Sequence, residues 1–172
     1  FERKRISLLL KNGSDSWIIT KGAFEEVIKI CTKAETAEGQ EVEIQTLSET
    51  LQKLYEESSN KGFRTIGLAY RKDAQISSIK PQDEQQMIFL GVLLFADAPK
   101  EHIAEDIAKL KESGVDLKIL TGDNKLMAMH LAEILKIPKE SILTGEEIQK
   151  TNSDALIQQI KDKAIFAEIE PN

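Results

Sequence analysis

Val115-Asp-Leu-Lys-Ile-Leu-Thr-Gly-Asp-Asn124 runs from a strand-like stretch into a small polar loop, and Leu126, Met127, Leu131, Ile134 and Leu135 follow at helical spacing. This predicts a strand over 115–120, a loop over 121–124 and then a helix. Upstream, Ile103, Ile107 and Leu110 line one face of a helix closed by Gly114, with Pro99 suited to its first turn. Downstream, Ser141-Ile-Leu-Thr144, a helix near residues 154–162 and Ala164-Ile-Phe-Ala167 repeat the alternation. Helix and strand taking turns imply a parallel sheet, so this half reads as α/β.

The first half has another texture. Ile6-Ser-Leu-Leu-Leu10 and Ser16-Trp-Ile-Ile-Thr20, separated by Asn12-Gly13, predict a hairpin. From Gly22 the period becomes helical, with Phe24, Val27, Ile28, Ile30 and Cys31 on one face up to a polar stretch over 34–40. A second helix is expected over 48–60, presenting Leu47, Leu51, Leu54 and Tyr55, with Gly62 just beyond its end. Thr65-Ile-Gly-Leu-Ala-Tyr70 and the apolar run 87–95 read as strands, which makes an α+β pattern. Pattern, period and proline all change near residues 95–100, and a domain boundary is placed there.

Composition narrows the function classes. With 41% hydrophobic and 30% charged residues among 172, the chain has the means to bury a core. The longest apolar run, Met87 through Ala96, falls well short of the roughly 20 residues that cross a bilayer as a helix. A net charge of −6 argues against nucleic-acid binding, which needs a clustered positive surface. One cysteine allows neither an intrachain disulfide nor a thiolate zinc site, and neither His102 nor His130 has a partner at ligand spacing, so no metal site is expected. Starting at Phe1 without a leader pattern, the chain reads as an excised piece.

Candidate chemistry collects at two strand-to-helix junctions. In a parallel sheet, ligands gather beyond the carboxyl ends of strands, where Thr121-Gly-Asp-Asn124 falls. Thr121 offers a hydroxyl to a phosphoryl oxygen, Gly122 allows close backbone approach, and Asp123 can accept from a hydroxyl or a metal-bound water. Asp and Asn are equally common as helix N-caps. At Thr20-Lys21-Gly22-Ala23, Lys21 is a candidate anion contact and Gly22 leaves room beside a helix start. Arg3, Lys4 and Arg5 with Lys21 would suit a small polyanion or form a solvated face. Asp97 would cap its helix or meet a ligand. No GxSxG, Walker A, GxGxxG or HExxH pattern occurs.

Taken in order, Phe1-Glu-Arg-Lys-Arg-Ile-Ser7, Lys21-Gly-Ala, Gly62-Phe-Arg-Thr-Ile-Gly-Leu-Ala69, Asp97-Ala-Pro-Lys100 and Leu120-Thr-Gly-Asp-Asn124 resemble the cytoplasmic part of P-type cation-transporting ATPases. The opening looks most like the magnesium-importing branch, with calcium pumps as the neighbouring alternative. The resemblance implies a later part of a nucleotide-binding domain over 1–95 and part of a haloacid-dehalogenase-like phosphorylation domain over 96–172. It implies that Lys21, Gly22 and Ala23 lie against adenine, that Lys4 lies near the nucleotide, and that Arg64 contacts phosphates. Thr121 would bond the phosphoryl group beside Gly122, with Asp123 and Asp97 at the hinge.

ATP or ADP would be the ligand, Mg2+ the cofactor with its ligands outside this chain, and the remaining membrane and actuator domains of a parent pump the partners. The chain would be a cytoplasmic domain of an integral membrane protein. The family's Asp-Lys-Thr-Gly-Thr and Gly-Asp-Gly-x-x-Asn-Asp segments do not occur here, so this piece alone is expected to be inactive. The competing readings are a soluble haloacid-dehalogenase-like phosphatase and a non-catalytic interaction module.

Overall fold

A computed structural model describes residues 3–13, 15–72, 76–96 and 100–169. The chain forms two compact units, one of Phe1–Tyr55 with Thr65–Phe95 and the other of Glu56–Arg64 with Ala96–Asn172. The segment Glu56–Arg64 therefore belongs with the later residues, whereas the sequence suggested one contiguous division near 95–100.

The first unit is built on a six-stranded sheet in the order β1-β2-β5-β6-β3-β4. Strands β1 (Arg5–Asn12) and β2 (Asp15–Ala23) form the expected hairpin, with Asn12 opposite Asp15 and Gly13 at φ +61°. β2 lies next to the β1 edge, pairing antiparallel with β5 (Phe63–Lys72) on its other side. β3 (Cys31–Glu35) runs parallel to β6 (Met87–Ala96) and antiparallel to β4 (Glu41–Glu43). Ile18, Val27 and Met87 are completely buried, each worth about 1.5–3 kcal/mol against exposure, and Phe24 and Phe89 join them. Helix α2 (Ser48–Asn60) lays Leu51 and Tyr55 on this core, and the Tyr55 ring stacks on Phe24 at 4.9 Å. Along β1 the alternate residues Ile6, Leu8 and Leu10 stay exposed.

Two expectations are corrected here. The helix after Gly22 is only α1 (Phe24–Ile28), and Cys31 opens a strand rather than ending a helical face. Its thiol reaches back to donate to the Val27 carbonyl at 3.1 Å, and burial pushes that thiol up to about 12, so it is inert core. The polar stretch contains a turn, closed by Thr36 N–H to the Gln40 carbonyl at 2.8 Å, into β4. Glu41-Val-Glu43 gave too short an apolar alternation to announce a strand.

The second unit holds a three-stranded parallel sheet in the order β7-β9-β8, formed by Ile119–Leu120, Ile165–Ala167 and Ile142–Thr144. Helices α3 (Ile103–Glu112), α4 (Lys125–Ile134), α5 (Gly145–Lys150) and α6 (Ser153–Asp162) alternate with these strands, which makes the chain as a whole mixed α/β. The strand expected over 115–120 is just two residues long. Its partner β9 has three, and Lys118 is occupied elsewhere, its ammonium donating to the carbonyls of Ile160, Lys161 and Lys163 at the end of α6. Helix α5 was missed although Thr144 and Glu147 form a capping box that is readable as Thr-x-x-Glu.

Candidate functional site

The junction in the first unit begins with Lys21, Gly22 and Ala23 at the end of β2, hydrogen-bonded on both sides. Ile6 faces Lys21 and Arg5 faces Gly22 on one flank, while Leu68, Gly67 and Ile66 face the three residues on the other. Ala23 N–H closes the hairpin by donating to the Lys4 carbonyl at 2.9 Å, and Lys4 sits in the left-handed region at φ +47°. Lys4 and Lys21 are therefore brought to the same end of the same hairpin, both exposed.

Gly22 is closely packed against the neighbouring strand. A Cβ there would lie 2.5 Å from the Lys4 carbonyl oxygen and 2.6 Å from the Arg5 Cα. The glycine makes room for the neighbouring strand.

The basic run is also resolved. Arg3 donates to the Glu84 carboxylate at 2.5 Å, Arg5 Nε donates to its other oxygen at 2.9 Å, and the Ser7 hydroxyl donates at 2.8 Å. Ser7 and the fully buried Thr20 share a further hydrogen bond of 2.7 Å. The Glu84 side chain is 3% exposed. Burial pushes its carboxyl upward, but the bonds from Arg3, Ser7 and Arg5 outweigh that and hold it below the ordinary carboxylate range. Arg3 and Arg5 are thus both tied to Glu84, Arg3 remaining exposed and Arg5 mostly buried. Glu84 had no signal in the sequence, lying in a polar loop some eighty residues away.

In the second unit, Thr121 follows β7 at its carboxyl end, as the sequence predicted. Its hydroxyl donates to Asp123 Oδ2 at 2.9 Å and accepts from the Asp123 N–H at 3.1 Å, closing the loop on itself. Arg64 Nη2 holds Asp123 Oδ1 at 2.7 Å. Asn124 caps α4 by accepting from the Met127 N–H at 2.9 Å, and its amide donates to the buried Ser59 hydroxyl at 3.1 Å. Gly62, at φ +77°, turns the chain out of α2 where a Cβ would press on the His130 ring.

From the exit of β9, Glu168 N–H donates to the Asp123 carbonyl and Ile169 N–H to the Thr121 carbonyl, at 2.9 and 3.0 Å, while the Glu168 carboxylate accepts from the Lys125 N–H. A Cβ at Gly122 would meet nothing nearer than the Ile169 carbonyl at 3.5 Å, so packing does not account for that glycine.

The structure therefore groups Arg64 with Thr121, Gly122 and Asp123, and groups Lys4 with Lys21, Gly22 and Ala23. Asp97 lies outside the described residues. Ser59 and Glu168, which shape the loop, were not picked out for that role from the sequence.

Comparison with known proteins gives the chain its family. Residues 1–102 match the P-type ATPase cytoplasmic domain N, and the chain belongs to that family of cation ATPases. Over 99% of its length it is 30% identical to a magnesium-transporting P-type ATPase of Salmonella typhimurium, and 26% identical to the Escherichia coli magnesium-transporting ATPase. A calcium-transporting ATPase of Listeria monocytogenes is 23% identical over the same share. The chain spans about a fifth of the length of these relatives. Among the described residues no helix is long and apolar enough to cross a membrane.

Proposed function

We propose that this chain is the nucleotide-recognising cytoplasmic piece of an ATP-driven cation transporter and supplies one wall of its phosphoryl-transfer site. In this reading 1–95 are the later part of the nucleotide-binding domain, and 96–172 are part of a haloacid-dehalogenase-like phosphorylation domain within an integral membrane protein. The observation that carries it is the Arg64, Asp123 and Thr121 cluster at the end of a parallel strand, where ligands of such sheets collect. Names of the relatives favour a divalent cation as the cargo, magnesium first.

Lys4 and Lys21, with Gly22 and Ala23 between strand and helix, would receive ATP or ADP, and Arg64 would exchange Asp123 for phosphate oxygens. Asp97 would act with Asp123 at the hinge. Mg2+ would neutralise phosphate charge in the complete transporter. The carboxylate described at the strand end is already held by Arg64 and Thr121, which does not suit a metal site, so residues outside this chain would hold the ion. The phosphorylated aspartate and the membrane and actuator domains would likewise lie outside it.

ATP at millimolar concentration is expected to shift the NMR signals of Lys4, Lys21 and Arg64 in this chain, with affinity falling about tenfold in Lys21→Glu. Unchanged spectra would remove the reading. The three-stranded parallel sheet with its Thr-Gly-Asp loop also favours a second reading, a soluble phosphatase. The two are separated by a phosphate-release assay with magnesium: the chain alone is expected to hydrolyse neither ATP nor small phosphate esters. Steady release abolished by Asp123→Asn would favour the phosphatase.

A further inference from the structure

We propose that Glu84 is a positioning residue of the nucleotide site, fixing the two lysines at the end of the β1–β2 hairpin through the residues beside them. The proposal rests on the nucleotide reading above and names a determinant of that same site.

Among the described residues β1 is an edge strand, paired only with β2, and the ends of edge strands fray unless something holds them. At this end Lys4 is left-handed at φ +47°, a conformation that is strained for a non-glycine residue and persists only where the surroundings impose it. The imposing group is a single carboxylate. Glu84 takes Arg3 at 2.5 Å and Arg5 at 2.9 Å, the residues immediately before and after Lys4, so the backbone between them is pulled into the turn. The turn is what brings the Lys4 carbonyl to the Ala23 N–H.

The second lysine is reached through one hydroxyl. Ser7 donates to Glu84 and is bonded to Thr20, which is fully buried and directly precedes Lys21. Glu84 is 3% exposed, and stripping a partner from such a buried charge is strongly unfavourable, which makes the clamp rigid. Arg5 also lies 3.6 Å from Glu26 on α1, the helix that follows Ala23, so the strand is tied to both sides of the junction.

The test measures ATP affinity of the full 172-residue chain at a temperature where circular dichroism shows each variant folded. Glu84→Ala is expected to weaken ATP binding about tenfold and to move the Lys4 amide signal before any nucleotide is added. Glu84→Gln, which keeps an acceptor oxygen, is expected to restore about half of that loss on a logarithmic scale. Ile44→Val, a core change in the same unit, is expected to lower stability and leave affinity unchanged. Should Glu84→Ala fail to fold, Arg3→Ala removes one arm of the clamp at a side chain that is 47% exposed, and a loss of about threefold is expected. Wild-type affinity in folded Glu84→Ala or in Arg3→Ala overturns the proposal while leaving the nucleotide reading intact. Absence of ATP binding by the wild-type chain overturns both.

Discussion

Thr121→Ala in the complete transporter is expected to slow phosphoenzyme formation about 100-fold, the scale of losing one donor aimed at developing phosphoryl charge. Nucleotide affinity should change little, because the substitution leaves the proposed nucleotide contacts Lys4, Lys21 and Arg64 in place. The hydroxyl has a resting occupation: it donates to Asp123 Oδ2 and accepts from the Asp123 amide. In the proposed role it would leave the carboxylate to meet a phosphoryl oxygen, while the Asp123 amide still donates to it. Thr121→Ser keeps both bonds and should retain most of the rate. Phosphorylation from labelled ATP at the wild-type rate in Thr121→Ala would reject the role.

Gly22→Ala should be the most damaging small substitution in the first unit. A methyl group there meets the Lys4 carbonyl at 2.5 Å and the Arg5 Cα at 2.6 Å, and both are backbone held in register by the hairpin. Overpacking against atoms that cannot rotate away costs about 2–3 kcal/mol, or about 5–10 °C in the melting midpoint of a chain this size. Gly122→Ala, whose methyl would sit 3.5 Å from the Ile169 carbonyl, should stay within about 0.5 kcal/mol. Equal melting of the two variants would show that the hairpin end can relax, and the strict spacing inferred for β1 would be wrong.

The sequence was most legible where local signals agreed with one another. Asn12-Gly13 between alternating runs predicted the hairpin, and the spacing of Leu47, Leu51 and Tyr55 predicted α2 with its bounds. Reading failed where tertiary pairing decided the outcome. Cys31 continues a helical apolar face in sequence, yet β6 recruits it as a strand; Val115 and Leu117 look like strand residues, but β9 is too short to pair them. The strand-end position of Thr121 was visible because strand, loop and helix are contiguous. The ion pair between Arg64 and Asp123, and the grip of Glu84 on Arg3 and Arg5, join residues 59 to 81 apart. No local period encodes such separations, and a single sequence offers no covariation to reveal them.

The order β7-β9-β8 has a consequence for biosynthesis. Among the described residues β7 and β8 are not paired with each other; each pairs with β9, the strand made last. As the polypeptide leaves the ribosome from its amino end, the six-stranded sheet has all its strands by residue 96, while the smaller sheet has no inter-strand bond until residues 165–167 emerge. The Thr121 loop has to wait too, because the amides of Glu168 and Ile169 that anchor it come later still. A nascent chain stalled before β9 would therefore carry all the strands of the larger sheet and an unassembled smaller sheet, with Ile119, Ile142 and Leu143 exposed to chaperones or to aggregation.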